Sequence, residues 1–407
     1  MNTSHKIALV LPYLKSRGTE RQGLAIAENL RAKGWSVSII VIEEKGDYFE
    51  VLKQNNFEYY IVNPKTRQKS IYLWRKIWNT ITFKTIRKVV RYIKQNEIDL
   101  IYSRAFLGNK ITILSAFFSG IPSVIFISGQ ILPEPQIQRN PFNYCYKKIK
   151  AKFNFGSAPW LICILRLKSK IVCVSHTGGE RLKKKLPLCD SKIKIVQNGV
   201  NIEKLQSLST KPIDLKGINS NSFNILYCGS LDEYRKGLDI LLLAYSNFLK
   251  EPRDISSQLI IVGTGKDENK LKEKVLSLGI SDYVNFVGEQ HNPYPFFKVS
   301  SVFILPSRRE GFPNVLLEAM ALKLSCISTN CDTGPSELIS NKENGILVPV
   351  EDSDSITEAL HELYLNSNLR ISLGEKAYQT VLNDFRFEDK AKKIEEIFQN
   401  SIEYKNI

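Results

Sequence analysis

Two glutamates eight positions apart enclose a loop that runs into a helix-like segment. Gly311 and Pro313 follow Glu310 and keep the chain out of a helix, and apolar residues at helical spacing begin near Asn314. The first N–H groups of a helix have no partner within it and can bind an anion such as a diphosphate. Glu318 lies about one turn further on, where it can accept hydrogen bonds from vicinal hydroxyls. Carboxylates around an anion site suit a nucleotide sugar, although the spacing alone also fits ordinary surface carboxylates.

A second candidate loop carries adjacent cations after another strand-like segment. It runs from Ser230 to Gly237 and includes Arg235 and Lys236. Arginine offers a planar fork of donors and lysine a point charge, so together they can neutralise a diphosphate leaving group. Near the N-terminus, Gly18 follows the first strand-like segment, and its lack of a side chain would let the backbone approach a phosphate or a sugar closely.

Strand-like segments precede these loops and alternate with helix-like ones along the chain. They lie at residues 6–14, 36–42, 99–103, 123–128, 170–175 and 192–200, and again at 223–229, 258–263, 283–288, 302–307 and 325–330. This βαβ rhythm predicts an α/β protein with two doubly wound parallel sheets. Ligands of such sheets bind beyond the carboxyl ends of the strands, which is where the candidate loops occur.

The length of 407 residues favours two domains. We predict an N-terminal domain over residues 1–208 and a polar linker over 209–222. A C-terminal nucleotide-sugar-binding domain is expected over 223–385, followed at 386–407 by a helix that can cross back to the N-terminal domain.

Positive charge is concentrated in the first half of the chain. Residues 1–206 hold 35 Lys and Arg against 13 Asp and Glu, a net of +22, whereas residues 207–407 hold 22 against 28, a net of −6, which together give the chain's +16. This asymmetry indicates an acidic partner for one half, and nucleic acid and anionic lipid are the candidates. The basic, aromatic-rich stretch at residues 65–94 and Lys183 to Lys185 favour a membrane surface, although solvated helix faces would look the same.

Several other classes of protein are disfavoured by the sequence. No apolar run is long enough to span a membrane, and the first residues look like a buried strand rather than a signal peptide. The seven cysteines include no C-x-x-C pair and are expected to be reduced in a cytoplasmic protein. Asp352 and Asp354 form a D-x-D sequence, for which we predict helix capping rather than metal binding.

The chain resembles the retaining glycosyltransferases of family 4, which have the GT-B fold of two Rossmann-like domains facing across a cleft. The segments that carry the resemblance are GSLDEYRKGLD, NPYPFF, SRREGFPNVLLEAMA, STNCDTGPSELI and NGILVPV, and they occur in the family's order. Glu310 and Glu318 match its E-x7-E motif. The segments NPYPFF and TGPSEL look most like those of enzymes that extend lipid-linked cell-surface glycans such as O-antigen, capsule or N-glycan precursors.

The resemblance implies a role for each candidate residue. Glu310 would face the donor hexose, with Lys236 and Arg235 at the diphosphate, and these three are the predicted catalytic residues. The predicted donor-binding residues are Gly18, Ser230, Gly311, Phe312, Pro313, Asn314, Val315 and Glu318. Ser230 stands where the family often has arginine, so Arg235 is expected to take over part of that work.

The implied reaction is metal-independent transfer of a hexose or N-acetylhexosamine from a nucleotide sugar, expected to be UDP-linked, onto a lipid-linked glycan. No other cofactor is expected. The enzyme would be peripheral on the inner face of the membrane. A sugar-nucleotide epimerase of the same architecture remains an alternative, but the N-terminal loops hold few histidines for acid–base work. A nucleic-acid-binding protein would explain the basic half but not the glutamate pair.

Overall fold

The computed structural model describes residues 5–14, 18–44, 49–64, 74–104, 106–127, 169–215, 217–250 and 256–403. By its internal contacts the chain forms two compact units, Met1–Val196 with Ala391–Ile407, and Gln197–Lys390. Residues 197–208, which the sequence analysis assigned to the N-terminal domain, therefore pack within the second unit. The C-terminal helix begins in the second unit, and its residues from Ala391 onward pack in the first.

The first unit contains a parallel sheet with strand order β3-β2-β1-β4-β5-β6-β7 over its described residues. The strands are β1 (Lys6–Leu11), β2 (Ser36–Glu43), β3 (Glu58–Asn63), β4 (Leu100–Ser103), β5 (Ser123–Ile127), β6 (Lys170–Cys173) and β7 (Ile193–Ile195). The central strand β1 is buried from its second residue onward, because helices cover both faces of a parallel sheet. The edge strand β3 is mostly half-buried and is not among the strands predicted from the sequence.

Five helices and a 3₁₀ turn follow strands within the described residues of this first unit. They are α1 (Gly18–Ala32), α2 (Phe49–Gln54), α3 (Trp74–Gln95), α4 (Phe106–Ser119), α5 (His176–Lys185) and the turn Pro187–Lys192. Gly34, two residues after the end of helix α1, has a φ of +88°, and the N–H groups of Gly34 and Trp35 bond back to the carbonyl oxygens of Arg31 and Leu30. Glycine adopts this left-handed conformation without a steric penalty, which is why it commonly terminates helices.

The second unit repeats the architecture with strand order β10-β9-β8-β11-β12-β13. Its strands are β8 (Phe223–Cys228), β9 (Ser257–Val262), β10 (Val284–Gly288), β11 (Val302–Leu305), β12 (Ser325–Thr329) and β13 (Ile346–Val348). Its helices are α6 (Ile202–Ser209), α7 (Glu233–Lys236), α8 (Leu238–Phe248), α9 (Glu268–Ser277), α10 (Tyr294–Lys298), α11 (Asn314–Ala321), α12 (Pro335–Leu338), α13 (Ser353–Leu365) and α14 (Ser367–Asp384), with a 3₁₀ turn at Ser281–Tyr283. The last helix, α15 (Phe387–Glu403), begins in this unit and continues in the first. The prediction of two doubly wound parallel sheets is confirmed.

Each unit has its own apolar core. In the second unit β8, β9 and β11 pack against α8 and α13 through side chains such as Ile225, Leu241 and Leu360, all fully buried. In the first unit α15 contributes Phe398, whose ring centroid lies 4.9 Å from that of Tyr102. Among the described helices none is both long and apolar enough to cross a membrane.

Candidate active site

The loop after β11 holds Glu310 in a buried position. The Glu310 side chain is 8% exposed, and its Oε1 accepts a hydrogen bond of 2.7 Å from Ser307 Oγ. The backbone carbonyl of Glu310 accepts a hydrogen bond from the hydroxyl of Thr333. Helix α11 then begins at Asn314, as the sequence predicts, and Pro313 gives it no side-chain cap. The loop therefore fixes the glutamate at the carboxyl end of β11.

The loop after β8 brings the cations to the same place. Asp232 caps the short helix α7 by accepting a hydrogen bond from the N–H of Arg235. Gly237 ends that helix with a φ of +64°, and a Cβ there would lie 2.0 Å from the carbonyl oxygen of Pro306. Only glycine fits so close an approach, which sets α7 against the loop that holds Glu310.

Lys236 and Glu310 meet as a result. Lys236 Nζ lies 2.5 Å from Glu310 Oε1, and the two side chains are only 11% and 8% exposed. Arg235 Nη2 donates a 2.9 Å hydrogen bond to Ser230 Oγ, so its guanidinium lies beside the serine that replaces the family's arginine. Of the predicted site residues in the β8 loop, Lys236 contacts the predicted catalytic glutamate, while Arg235 and Ser230 bind each other in the same loop.

Most of the remaining donor-binding candidates lie around the start of α11. Glu318 is 9% exposed within that helix, and Asn314 Oδ1 accepts a 2.8 Å hydrogen bond from Asn198 Nδ2. Phe312 is 7% exposed, with its ring centroid 6.2 Å from that of Phe385. Gly311, Pro313 and Val315 complete this loop and the first turn of the helix.

Gly334 closes one side of this loop. It has a φ of +93°, and a Cβ there would lie 2.6 Å from Pro313 Cδ. The TGPSEL segment therefore supports the glutamate loop through close backbone packing. Gly18 belongs to the other unit, where it is the first residue of α1 after β1.

The negative charge of Glu310 acts on buried neighbours. Burial and, second, the Glu310 carboxylate raise the pKa of the Tyr227 hydroxyl well above its ordinary value. The same two causes, in the same order, raise the pKa of the Cys331 thiol to about 12, so it is an uncharged thiol at neutral pH. Lys236 contacts this carboxylate directly and supplies the opposite charge.

Two residues that organise this site are not among those predicted from the sequence. Arg308, one residue after Ser307, binds both Asp239 and Glu351. Asn198, in the NGV segment after β7, holds Asn314 at the start of α11. The adjacent arginines in SRREGF and the aspartate in KGLD were the available signals, but neither indicates a contact by itself.

The D-x-D sequence is a helix cap, as predicted. Asp352 accepts hydrogen bonds of 2.9 Å from the N–H and 2.6 Å from the hydroxyl of Ser355, at the start of α13. These bonds lower the pKa of the Asp352 carboxyl.

Two protein-family models together match most of the chain. A model described as "Glycosyl transferases group 1" matches residues 212–380, and one described as "Glycosyltransferase Family 4" matches residues 16–204. The chain belongs to the family 4 glycosyltransferases. It is a transferase enzyme, and the matched ranges contain every residue predicted for its site.

Individual relatives differ in how much of this glycosyltransferase they cover. An uncharacterized glycosyltransferase of Methanocaldococcus jannaschii, MJ1059, is 37% identical over 156 residues, and the chain spans 38% of the length of that relative. The Escherichia coli UDP-Gal:alpha-D-GlcNAc-diphosphoundecaprenol alpha-1,3-galactosyltransferase is 24% identical over 322 residues, which is 77% of this chain and 79% of that one.

Solved structures share the fold. The Anabaena protein Alr3699/HepE, crystallised in complex with UDP-glucose, superimposes with a TM-score of 0.76 at 18% identity and covers 97% of this chain and 99% of its own. At that identity the similarity shows the GT-B fold. The predicted fold class is therefore confirmed, while the roles of the individual site residues stay predictions.

Proposed function

We propose that this glycosyltransferase moves a hexose or N-acetylhexosamine from a UDP-sugar onto a lipid-linked glycan acceptor and retains the donor's anomeric configuration. The observation that carries the proposal is the contact between Lys236 and the buried Glu310, with Arg235 on the same short helix. A cation pair beside a buried carboxylate matches a substrate whose diphosphate adjoins a sugar. The names of the E. coli relative and of the Anabaena complex both contain a UDP-sugar, which supports the choice of nucleotide.

In the proposed mechanism, Lys236 and Arg235 neutralise the charge that develops on the UDP leaving group. Fixed cations of this kind act strongly because they need no reorganisation during the reaction. Glu310 orients the hexose or shields a cationic anomeric carbon, and Glu318 binds the ribose. The cations and the start of α11 take the place of a divalent metal ion, so no cofactor beyond the nucleotide sugar is proposed.

A transfer assay with purified enzyme tests this function. Thermal shift against UDP-, GDP- and ADP-sugars would first identify the donor, and the selected donor would then be offered with a diphospholipid-linked N-acetylglucosamine acceptor. We expect saturable UDP-sugar binding and, by NMR of the product, an α linkage from an α-linked donor. A β-linked product would contradict retention, release of an epimerised sugar would indicate an epimerase, and no nucleotide-sugar binding would refute the proposal.

We also propose that the basic half of the enzyme contacts the inner face of an anionic membrane. On α5, Lys184 and Lys185 are exposed, whereas Lys183 pairs with Glu180 at 3.0 Å. The neighbouring Leu182 is buried, so attraction at this helix would be electrostatic. The other predicted stretch, residues 65–94, lies outside the described residues over 65–73, and only its side chains from 83 onward are described.

Vesicle sedimentation tests the membrane contact. The enzyme should sediment with anionic vesicles and detach as salt rises, because exposed charges are screened beyond about 8–10 Å. Reversing Lys184 and Lys185 to glutamate should weaken this binding, whereas Lys342→Glu with Lys376→Glu, the same charge change in the second unit, should not. Equal binding to neutral vesicles would contradict the electrostatic mechanism.

A further inference from the structure

Arg308 connects the two loops that carry the candidate catalytic groups. Its Nη1 and Nη2 donate to the two carboxylate oxygens of Asp239, each at 2.7 Å, and its Nε donates to Glu351 Oε1 at 2.7 Å. Nη1 also donates to the carbonyl oxygen of Tyr234 at 2.8 Å. The guanidinium uses its whole planar fork in these contacts, which a lysine cannot reproduce.

The contacts of Arg308 join segments that are distant in sequence. Tyr234 belongs to α7 and Asp239 to the first turn of α8, while Arg308 itself is two residues before Glu310. The Arg308 N–H also donates to the carbonyl of Arg235 at 3.0 Å, which adds a backbone bond between the same two loops. Arg308 therefore links the loop that holds Glu310 to the short helix that carries Lys236 through both side-chain and backbone bonds.

The Arg308–Asp239 pair is well shielded from water. The Arg308 side chain is 8% exposed and that of Asp239 is 23% exposed. The guanidinium carbon lies 4.9 Å from the centre of the Tyr234 ring, which covers one face of the group. Hydrogen bonds to Asp239 raise the pKa of the Arg308 guanidinium, so the pair stays charged throughout the working pH range.

We propose that Arg308 is a positioning residue for transfer: it aligns Lys236 and Arg235 with the glutamate loop without touching the substrate. The inference rests on the proposed function, since it assigns Arg308 a role in binding the donor diphosphate. Misplacement of a catalytic group by about 1 Å can lower a rate about 100-fold. Loss of the fork should therefore weaken the site even though the cations themselves are unchanged.

Binding of UDP to purified variants tests the proposal without an acceptor. Arg308→Lys keeps the charge but loses the fork, and Asp239→Asn removes the same pair from the other side while keeping the side-chain volume. Each should raise the UDP dissociation constant about 10-fold or more, which is the effect expected for a charge-assisted hydrogen bond to the diphosphate. Arg370→Lys is the control, because Arg370 is a half-buried arginine that donates to the Leu363 carbonyl away from this site.

A double variant separates positioning from general destabilisation. If Arg308 acts through Lys236 and Arg235, Arg308→Lys should weaken UDP binding by a smaller factor in the Lys236→Ala background than in the wild type, because only Arg235 is then left to be misplaced. Asp239→Glu added to Arg308→Lys should recover part of the affinity, since the longer acid reaches the shorter cation. In transfer assays Arg308→Lys should lower kcat more than it raises the donor KM.

The possible results separate a failure of the positioning role of Arg308 from a failure of the proposed transferase function. Wild-type UDP affinity in both Arg308→Lys and Asp239→Asn would overturn the positioning role, as would losses that multiply in the double variant with Lys236→Ala. A wild-type enzyme that binds UDP but transfers no sugar would instead contradict the proposed function and leave the binding comparison valid. A lower melting temperature of Arg308→Lys with unchanged UDP affinity would show that Arg308 contributes to stability and does not position the donor site.

Discussion

Removing Lys236 should affect activity and stability by two separable routes. Its Nζ lies 2.5 Å from Glu310 Oε1, in a pair whose side chains are 11% and 8% exposed. For activity, the loss of one fixed donor to developing charge costs about 2.7–4 kcal/mol of transition-state stabilisation, so kcat of Lys236→Ala should fall about 100- to 1,000-fold. Lys236→Arg should recover only part, because a guanidinium does not replace a compact ammonium.

The stability effect arises from the carboxylate left behind. Breaking a buried ion pair by removing one partner costs about 3–5 kcal/mol, since the remaining charge has no compensating partner. Lys236→Ala should therefore unfold at lower urea concentration than the wild type. Adding Glu310→Gln removes the isolated charge and should restore most of the stability while activity stays low.

Urea unfolding and steady-state kinetics on the same preparations decide between these routes. The matched control is Lys323→Ala, which breaks the exposed Lys323–Glu375 pair, where the side chains are 47% and 49% exposed. That change should cost at most about 1 kcal/mol and leave kcat unchanged. Near-normal kcat in Lys236→Ala would refute the leaving-group assignment, and unchanged stability would refute the buried-pair reasoning.

Three further predictions concern the same unit. Glu310→Gln should mainly lower kcat, whereas Glu318→Gln should mainly raise the donor KM, because a ribose contact is equal in ground and transition states; the reverse split in steady-state kinetics would exchange their roles. Activity should persist in EDTA, and a loss restored by Mn²⁺ would contradict a metal-independent reaction. Burial acts to raise the pKa of Asp239, but hydrogen bonds and attraction from Arg308 outweigh it and lower that pKa below its ordinary value. A carboxyl whose pKa is lower in the folded state than in the unfolded state stabilises the folded protein at pH values above the unfolded-state pKa. That stabilisation is lost as the pH falls through the folded-state pKa. The difference in unfolding free energy between wild type and Asp239→Asn should thus be constant from about pH 6 to 8 and shrink below about pH 4, as urea titrations can check.

Local sequence features determined the elements and the places where chemistry can occur. Continuous apolar runs such as β1, the glycine stop of α1 at Gly34 and the start of α11 at Asn314 are short-range properties, since each depends on neighbouring residues alone. The edge strand β3 was missed because its half-buried positions give a weak apolar signal. Motif order then identified the family, and with it the glutamate pair and the cations.

Only the tertiary structure decided which of these groups meet. Lys236 and Glu310 are 74 positions apart, and their contact depends on the approach of Gly237 to the Pro306 carbonyl, which no local pattern encodes. The role of Arg308 likewise depends on two acids, Asp239 and Glu351, contributed by separate helices and loops. Residue type indicates what a side chain can bind, but long-range packing selects its partner, because the pairing geometry exists only once the strands that carry both loops lie side by side in one sheet.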